Sequence, residues 1–136
     1  MIELAYTSVA TWDYTPEDLA DILTVSRANN AKHGITGILL YRGKTVLQLL
    51  EGEAAAVRSL YAKLLLDKRH HSISLLYDRP LAARIFGKWS MGFEQWAAQD
   101  SFDESVHRIT LGGLQPALEV EHRAQRLIDM FVRHVR

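Results

Sequence analysis

The stretch Thr45-Val46-Leu47-Gln48-Leu49-Leu50-Glu51-Gly52 constrains this chain more than any other. It is a short apolar run without helical spacing, set off by Arg42-Gly43-Lys44 before it and closed by Gly52. A run of that length, apolar on both faces, predicts a central strand. In its middle stands one amide, Gln48. A primary amide carries two donors and an acceptor, and leaving a buried one unpaired costs on the order of 1–3 kcal/mol. A polar group must therefore lie opposite Gln48, and the rest of the chain has to supply it.

The remaining chain is long enough to do so. It has 136 residues, 48% of them hydrophobic, which suits one domain burying roughly two thirds of its unfolded surface. Lysine plus arginine (16) balance aspartate plus glutamate (16), which argues against nucleic acid as a partner. There is no cysteine, hence no disulfide framework, thiolate metal site or cysteine nucleophile. No apolar run is long enough to span a membrane, and the N-terminus lacks a basic-then-apolar signal pattern. The expectation is a cytoplasmic protein with no membrane partner and no internal repeat.

Ile2 to Ser8 predicts a strand with Leu4, Tyr6 and Ser8 on one face. Thr15-Pro16-Glu17-Asp18 is a helix start: a capping threonine, proline in the first turn, and acids at the positive end of the dipole. That helix should run to about Lys32 and stop at Gly34. Its inner stripe continues through Ile22 and Ser26 to Asn30, beside Asn29, so at least one asparagine amide is a candidate ligand contact. Ile35 to Tyr41 is a second strand and forms a hairpin with the Gln48 strand. A second helix, from Glu53 to about Asp67, carries Val57, Leu60, Tyr61 and Leu64 at helical period. Asp67-Lys68-Arg69-His70-His71 reads as its solvated end; adjacent histidines without cysteine do not make a metal site. Ser72 to Tyr77 is a further strand ended by Pro80, and Leu81 to Phe86 a connection or short helix. Trp89, Met91 and Phe93 alternate on a last strand. From about Ser101 the chain is helical, with an apolar stripe of Ala124, Leu127, Ile128, Phe131 and Val135.

The order β-α-β-β-α-β-β followed by helices predicts an α+β, ferredoxin-like mixed sheet with two helices on one face. In that plan the first strand and the Gln48 strand are central neighbours, so the Tyr6 hydroxyl is the partner that Gln48 requires. Tyr6, Gln48 and an asparagine amide would converge between the helices. None is a good general acid or base near neutral pH, and no catalytic triad, phosphate-cradling loop or metal box appears. Amides and a phenol suit a flat heterocycle bearing carbonyls and ring nitrogens, which permits a flavin without naming one.

The sequence resembles the BLUF family, sensors of blue light using a flavin. The matching residues are Tyr6-Thr7-Ser8, Asn29-Asn30, Gly34 to Tyr41, Leu47-Gln48-Leu49-Leu50-Glu51-Gly52, Asp67-Lys68-Arg69-His70, and Phe86 through Trp89-Ser90-Met91. They cover about residues 1 to 95, in family order. The resemblance implies a non-enzymatic photoreceptor with its flavin, FAD, between the two helices. Tyr6 is then the electron and proton donor to the excited flavin. Gln48 bridges Tyr6 and flavin and rearranges its hydrogen bonds after light, giving a small red shift. Asn30 binds the carbonyl edge, Asn29 is a second ring contact, Ile22 packs on the ring, and Arg69 approaches the opposite carbonyl with His70 beside it. Ser8 tunes the site from the Tyr6 side, and Trp89 and Met91 carry the signal out. Val46 stands where many relatives have an aromatic residue, and Lys68 where others vary, so altered tuning is expected.

The implied organisation is a flavin-binding domain over residues 1–96 and a helical extension over 97–136, packed on the sheet or on a partner. Without an effector domain, the output goes to a separate protein, of cyclic-dinucleotide turnover or of response-regulator kind, and homo-oligomers are expected. The residues leave FAD, FMN and riboflavin open. Two other functions remain in competition: a small flavin-dependent redox enzyme, and a ligand-free ferredoxin-like interaction module.

Overall fold

The structure is a computed structural model and describes residues 1–86 and 91–96, the last five as backbone. Its elements are β1 (Ile2–Ala10), α1 (Pro16–His33), β2 (Thr36–Arg42), β3 (Thr45–Gly52), α2 (Ala54–Leu64), β4 (His70–Pro80) and β5 (Gly92–Trp96). The strands form one sheet in the order β4-β1-β3-β2-β5. All neighbours are antiparallel except β2 and β5, which run parallel. Each helix therefore connects two parallel strands that have one strand between them, which is the ferredoxin-like plan.

Local chemistry explains the joints. Thr15 and Asp18 form a reciprocal capping box: the Thr15 hydroxyl accepts from Asp18 N at 3.1 Å, and the Asp18 carboxylate accepts from Thr15 N at 2.9 Å. At the other end Gly34 takes φ 67°, a left-handed conformation that closes α1 and turns the chain into β2. Gly37 answers a different need. A Cβ there would lie 2.0 Å from the Leu49 carbonyl oxygen, so only glycine lets β2 lie this close to β3.

The helix-side core gathers Leu4, Tyr6, Leu23, Ile35, Leu39, Val46, Leu50, Val57 and Met91. Ala5, Ile38, Leu40, Leu47 and Leu49, at the alternate positions of the same strands, are equally buried. β3 is thus buried on both faces, as its continuous apolar run requires.

Three expectations need correction. The second helix stops at Leu64, three residues before Asp67, because Leu66 N and Asp67 N turn back onto the Lys63 and Leu64 carbonyls. His70 and His71 belong to a strand and not to a helix end, since β4 pairs them with Ala10 and Val9. The last strand starts at Gly92, so Met91 precedes it. Leu81 to Phe86 is a connection without a helix. Trp89, the helices expected from Ser101, and the Ala124 to Val135 stripe lie outside the described residues.

β4 follows β1 irregularly. Its register slips between Ala5 and Tyr6 and again between Thr7 and Val9, and Ser72 takes φ 54° in the second slip. Each slip inserts one extra β4 residue, a bulge that re-aims the neighbouring side chains. Both lie beside the segment that carries Tyr6 and Ser8.

Candidate functional site

Tyr6 and Gln48 are direct cross-strand partners in the β1–β3 register. Directly opposed residues project from the same face of a sheet, which here is the helix side. Both are buried, and the Tyr6 hydroxyl donates to Gln48 Oε1. Burial, and next the negative Asp67, push the Tyr6 phenol well above the ordinary tyrosine range, so the hydroxyl is neutral and able to donate. With Oε1 committed to Tyr6, the Gln48 Nε2 points the other way and reaches Met91 Sδ at 3.6 Å. The partner that Gln48 needed is Tyr6, with a thioether, a weak acceptor, on its other side.

His70 sets the Tyr6 ring from below. Its Nε2 lies 2.7 Å from the Leu64 carbonyl, which only accepts, so Nε2 bears the proton. In the neutral ring Nδ1 is then an acceptor, and the Ser8 hydroxyl donates to it at 2.8 Å. The His70 ring meets Tyr6 edge-on at 6.1 Å between centroids, and Tyr61 packs on Tyr6 at 5.6 Å. Ser8 therefore reaches Tyr6 through His70.

Arg69 and Asp67 form the charged rim. Arg69 Nη2 donates to Asp67 Oδ2 at 2.6 Å, and Arg69 N to Oδ1 at 3.0 Å. These hydrogen bonds hold the Asp67 carboxyl below the usual carboxylate range. Tyr14 closes the corner. Its hydroxyl donates to the Arg69 carbonyl at 2.6 Å, its own N–H donates to the Tyr41 hydroxyl at 3.1 Å, and burial pushes its phenol up to about 12.

Tyr6, Tyr14 and Tyr41 line one open cleft, with Ile22, Leu39, Val46 and Leu64 as apolar walls and Ser26, Gln48, Asp67, Arg69 and His70 as polar edges. An apolar slot with a few convergent polar groups is what a flat aromatic heterocycle requires. The donor set fits an isoalloxazine: an amide, a guanidinium and a serine hydroxyl for carbonyls and ring nitrogens, and aliphatic side chains for its faces. Among the described residues no group of three or more His, Cys, Asp or Glu could hold a metal ion.

Of the residues singled out from the sequence, Tyr6, Ile22, Gln48, Arg69 and His70 meet in this cleft. Met91 joins them through Gln48, and Ser8 through His70. Asn30 is buried at the end of α1, where its carbonyl accepts from Ile35 N at 2.9 Å. Asn29 lines a neighbouring cleft with His33, Ser59 and Lys63. Sequence reasoning missed Tyr14 and Tyr41, which carry no local signal, and Glu51, which carries one. Glu51 is a carboxylate inside an apolar strand, so it raises the same partner question as Gln48. It is 1% exposed, and its oxygens accept from Thr36 Oγ1 at 2.7 Å, Ile85 N at 2.9 Å and Phe86 N at 2.7 Å.

Fold and cleft together define a class: a small α+β domain that holds a flat ligand between two helices against a phenol–amide pair. The family model described as "Sensors of blue-light using FAD", BLUF, matches residues 1–92. The chain belongs to that family and has its blue-light sensor domain. It is 39% identical over 87 residues to photoactivated adenylate cyclase subunit alpha of Euglena gracilis, covering 64% of this chain and 8% of that protein. The chain thus spans a small part of that relative. It also resembles the dark-state structure of BlrB, a BLUF protein, with a TM-score of 0.72, 27% identity, and coverage of 96% of this chain and 94% of that one. Klebsiella pneumoniae BlrP1, solved with FMN and cyclic diGMP, superimposes with a TM-score of 0.79 at 29% identity, covering 98% of this chain and 34% of that one.

Proposed function

We propose that this chain binds FAD non-covalently in the cleft between α1 and α2 and registers blue light by turning the Gln48 amide. The observation that carries this reading is the line Tyr6 hydroxyl–Gln48 amide–Met91 sulfur, whose first two members border the cleft. Bound there, the isoalloxazine supplies blue absorption and, once excited, the capacity to accept an electron. Tyr6, neutral and aimed at Gln48, is the residue that would supply an electron and its proton to the bound, excited ring and take both back. Gln48 is left rotated or tautomerised, and because its two ends differ as donor and acceptor, every neighbour must pair again. Arg69 and Ile22, which line the cleft, would hold an edge and a face of the ring, and Asn30 and Asn29, at the end of α1 beside the cleft, are the proposed further ring contacts. Ser8 and His70 fix the Tyr6 ring.

The output leaves through Met91 and Trp89 to a separate effector in the cytoplasm. The relatives support that partner class: one is a cyclase, and another was solved with a cyclic dinucleotide. A cyclic-dinucleotide enzyme or a response-regulator-like protein is the partner proposed here, with the sensor acting as a homo-oligomer. For residues 97–136 the proposal is a helical extension that packs on the sheet or on a partner, a reading supported by the apolar stripe from Ala124 to Val135. No described helix is long and apolar enough to cross a membrane.

The test is an absorption spectrum of the FAD-loaded protein, dark and then under blue light. The expected result is a structured flavin band that shifts slightly red and returns in the dark. Gln48→Leu should abolish the shift while FAD stays bound. A red shift that survives Gln48→Leu unchanged would sink the mechanism. A band that only bleaches would favour redox chemistry, and failure to bind any flavin would favour an interaction module.

A further inference from the structure

Met91 is held from two sides, and the two holds differ in kind. Its side chain is 1% exposed, in the helix-side core, with the Gln48 Nε2 at its sulfur. Its carbonyl accepts from Arg27 Nε of α1 at 2.9 Å. A thioether has no proton to donate and accepts only weakly. The first hold therefore exists only while Gln48 presents its NH₂ end, which it does because Tyr6 occupies Oε1. Turn the amide over, and a carbonyl oxygen faces a sulfur that cannot donate to it. The second hold is indifferent to Gln48. A guanidinium is always charged and donates only, so the Arg27 bond to the Met91 carbonyl survives the rearrangement. Gly92, the next residue, begins β5 and pairs with Ile38 of β2. Whatever holds the Met91 backbone thus holds the entry to β5.

We propose that Arg27 is a positioning residue of the light switch: it keeps the Met91 backbone seated when the Gln48 contact is lost, and so limits how far illumination loosens β5. This rests on the photoswitch reading above. With Arg27 present, Met91 has two holds in the dark and one in the light. Without it, Met91 has one polar hold in the dark and, in the light, only its packing in the core.

The experiment is hydrogen exchange of the β5 backbone amides in the full-length, FAD-loaded protein, dark and under steady blue light, alongside the absorption shift. In Arg27→Ala the red shift should match the wild type, because Tyr6 and Gln48 are untouched. Exchange in β5 should rise modestly in the dark and by about five- to ten-fold more in the light than in the wild type. Arg27→Lys should restore most of the protection, since an ammonium can reach the same carbonyl. Glu51→Gln is the comparison. It weakens the anchor at Ile85 and Phe86, away from Gln48, and should raise exchange by the same factor in both states. Arg27→Ala that behaves like Glu51→Gln, or like the wild type, overturns the proposal. A wild type with no red shift overturns the photoswitch reading itself, whereas a normal red shift with unaltered Arg27→Ala exchange removes Arg27 alone.

Discussion

Tyr6 is useful only while it keeps its proton, and burial is what secures that. In the unfolded chain its phenol has the ordinary pKa of 10.0, and in the folded protein it lies well above it. A raised folded pKa gives stability that is fully present below about pH 10 and is lost as pH rises past that value. Denaturant titrations should therefore show a falling midpoint from about pH 9 to pH 11, while the light-induced red shift persists wherever the protein remains folded. Tyr6→Phe, which cannot ionise, should flatten part of that alkaline fall and abolish the shift. Asp67 works with the opposite sign. Arg69 lowers its pKa from 3.8, so its contribution is present above that value and disappears as pH falls through the folded pKa. An alkaline midpoint that stays level in the wild type would show that Tyr6 is not desolvated as described.

Gly37 carries the sharpest prediction among the elements. Any side chain there meets the Leu49 carbonyl, one residue from Gln48 on the strand that presents it. Gly37→Ala should cost about 1–3 kcal/mol by overpacking and shift the flavin band, because β3 must move to make room. Thermal melts and the dark spectrum of the variant measure both; a variant with unchanged melting and spectrum would mean that the two strands separate freely. Elements were legible in the sequence wherever the signal was local. The capping box at Thr15, the stop at Gly34 and the hairpin at Gly43-Lys44 stand where their side chains and backbone freedom require them. The end of α2 and the start of β4 were not legible. Nothing in Asp67 to His71 announces that Val9 and Ala10 will pair with the two histidines, because strand pairing is decided between residues about sixty positions apart. Arg27 escaped for the same reason. It flanks the inner stripe of α1, four residues after Leu23, where a charged side chain reads as solvated, and only the tertiary fold brings the Met91 carbonyl within its reach.

For the molecule as a whole, the proposed division at residue 96 predicts that a fragment of residues 1–96 still binds FAD and shows the red shift. Ala5, Leu47 and Leu49 would be uncovered if residues 97–136 pack against them. The fragment should then self-associate or bind a hydrophobic dye where the full chain does not. A fragment that stays monomeric and dye-free would place the extension elsewhere. The candidate site was legible at this scale too, since one buried amide in a central strand demanded a partner and a ferredoxin-like order left Tyr6 to meet it. The charged anchor of Glu51 was within reach of the same question.

The uneven pairing of β4 with β1 bears on solubility. Among the described residues β4 is the outermost strand on its side of the sheet, with Leu75 and Leu76 about half exposed. A straight outer strand of that composition would be a template for stacking further chains. Two inserted residues and the left-handed Ser72 break its repeat, so another strand cannot run alongside it in step. The irregularity beside Tyr6 is therefore also a feature that disfavours stacking of further strands on this border of the sheet.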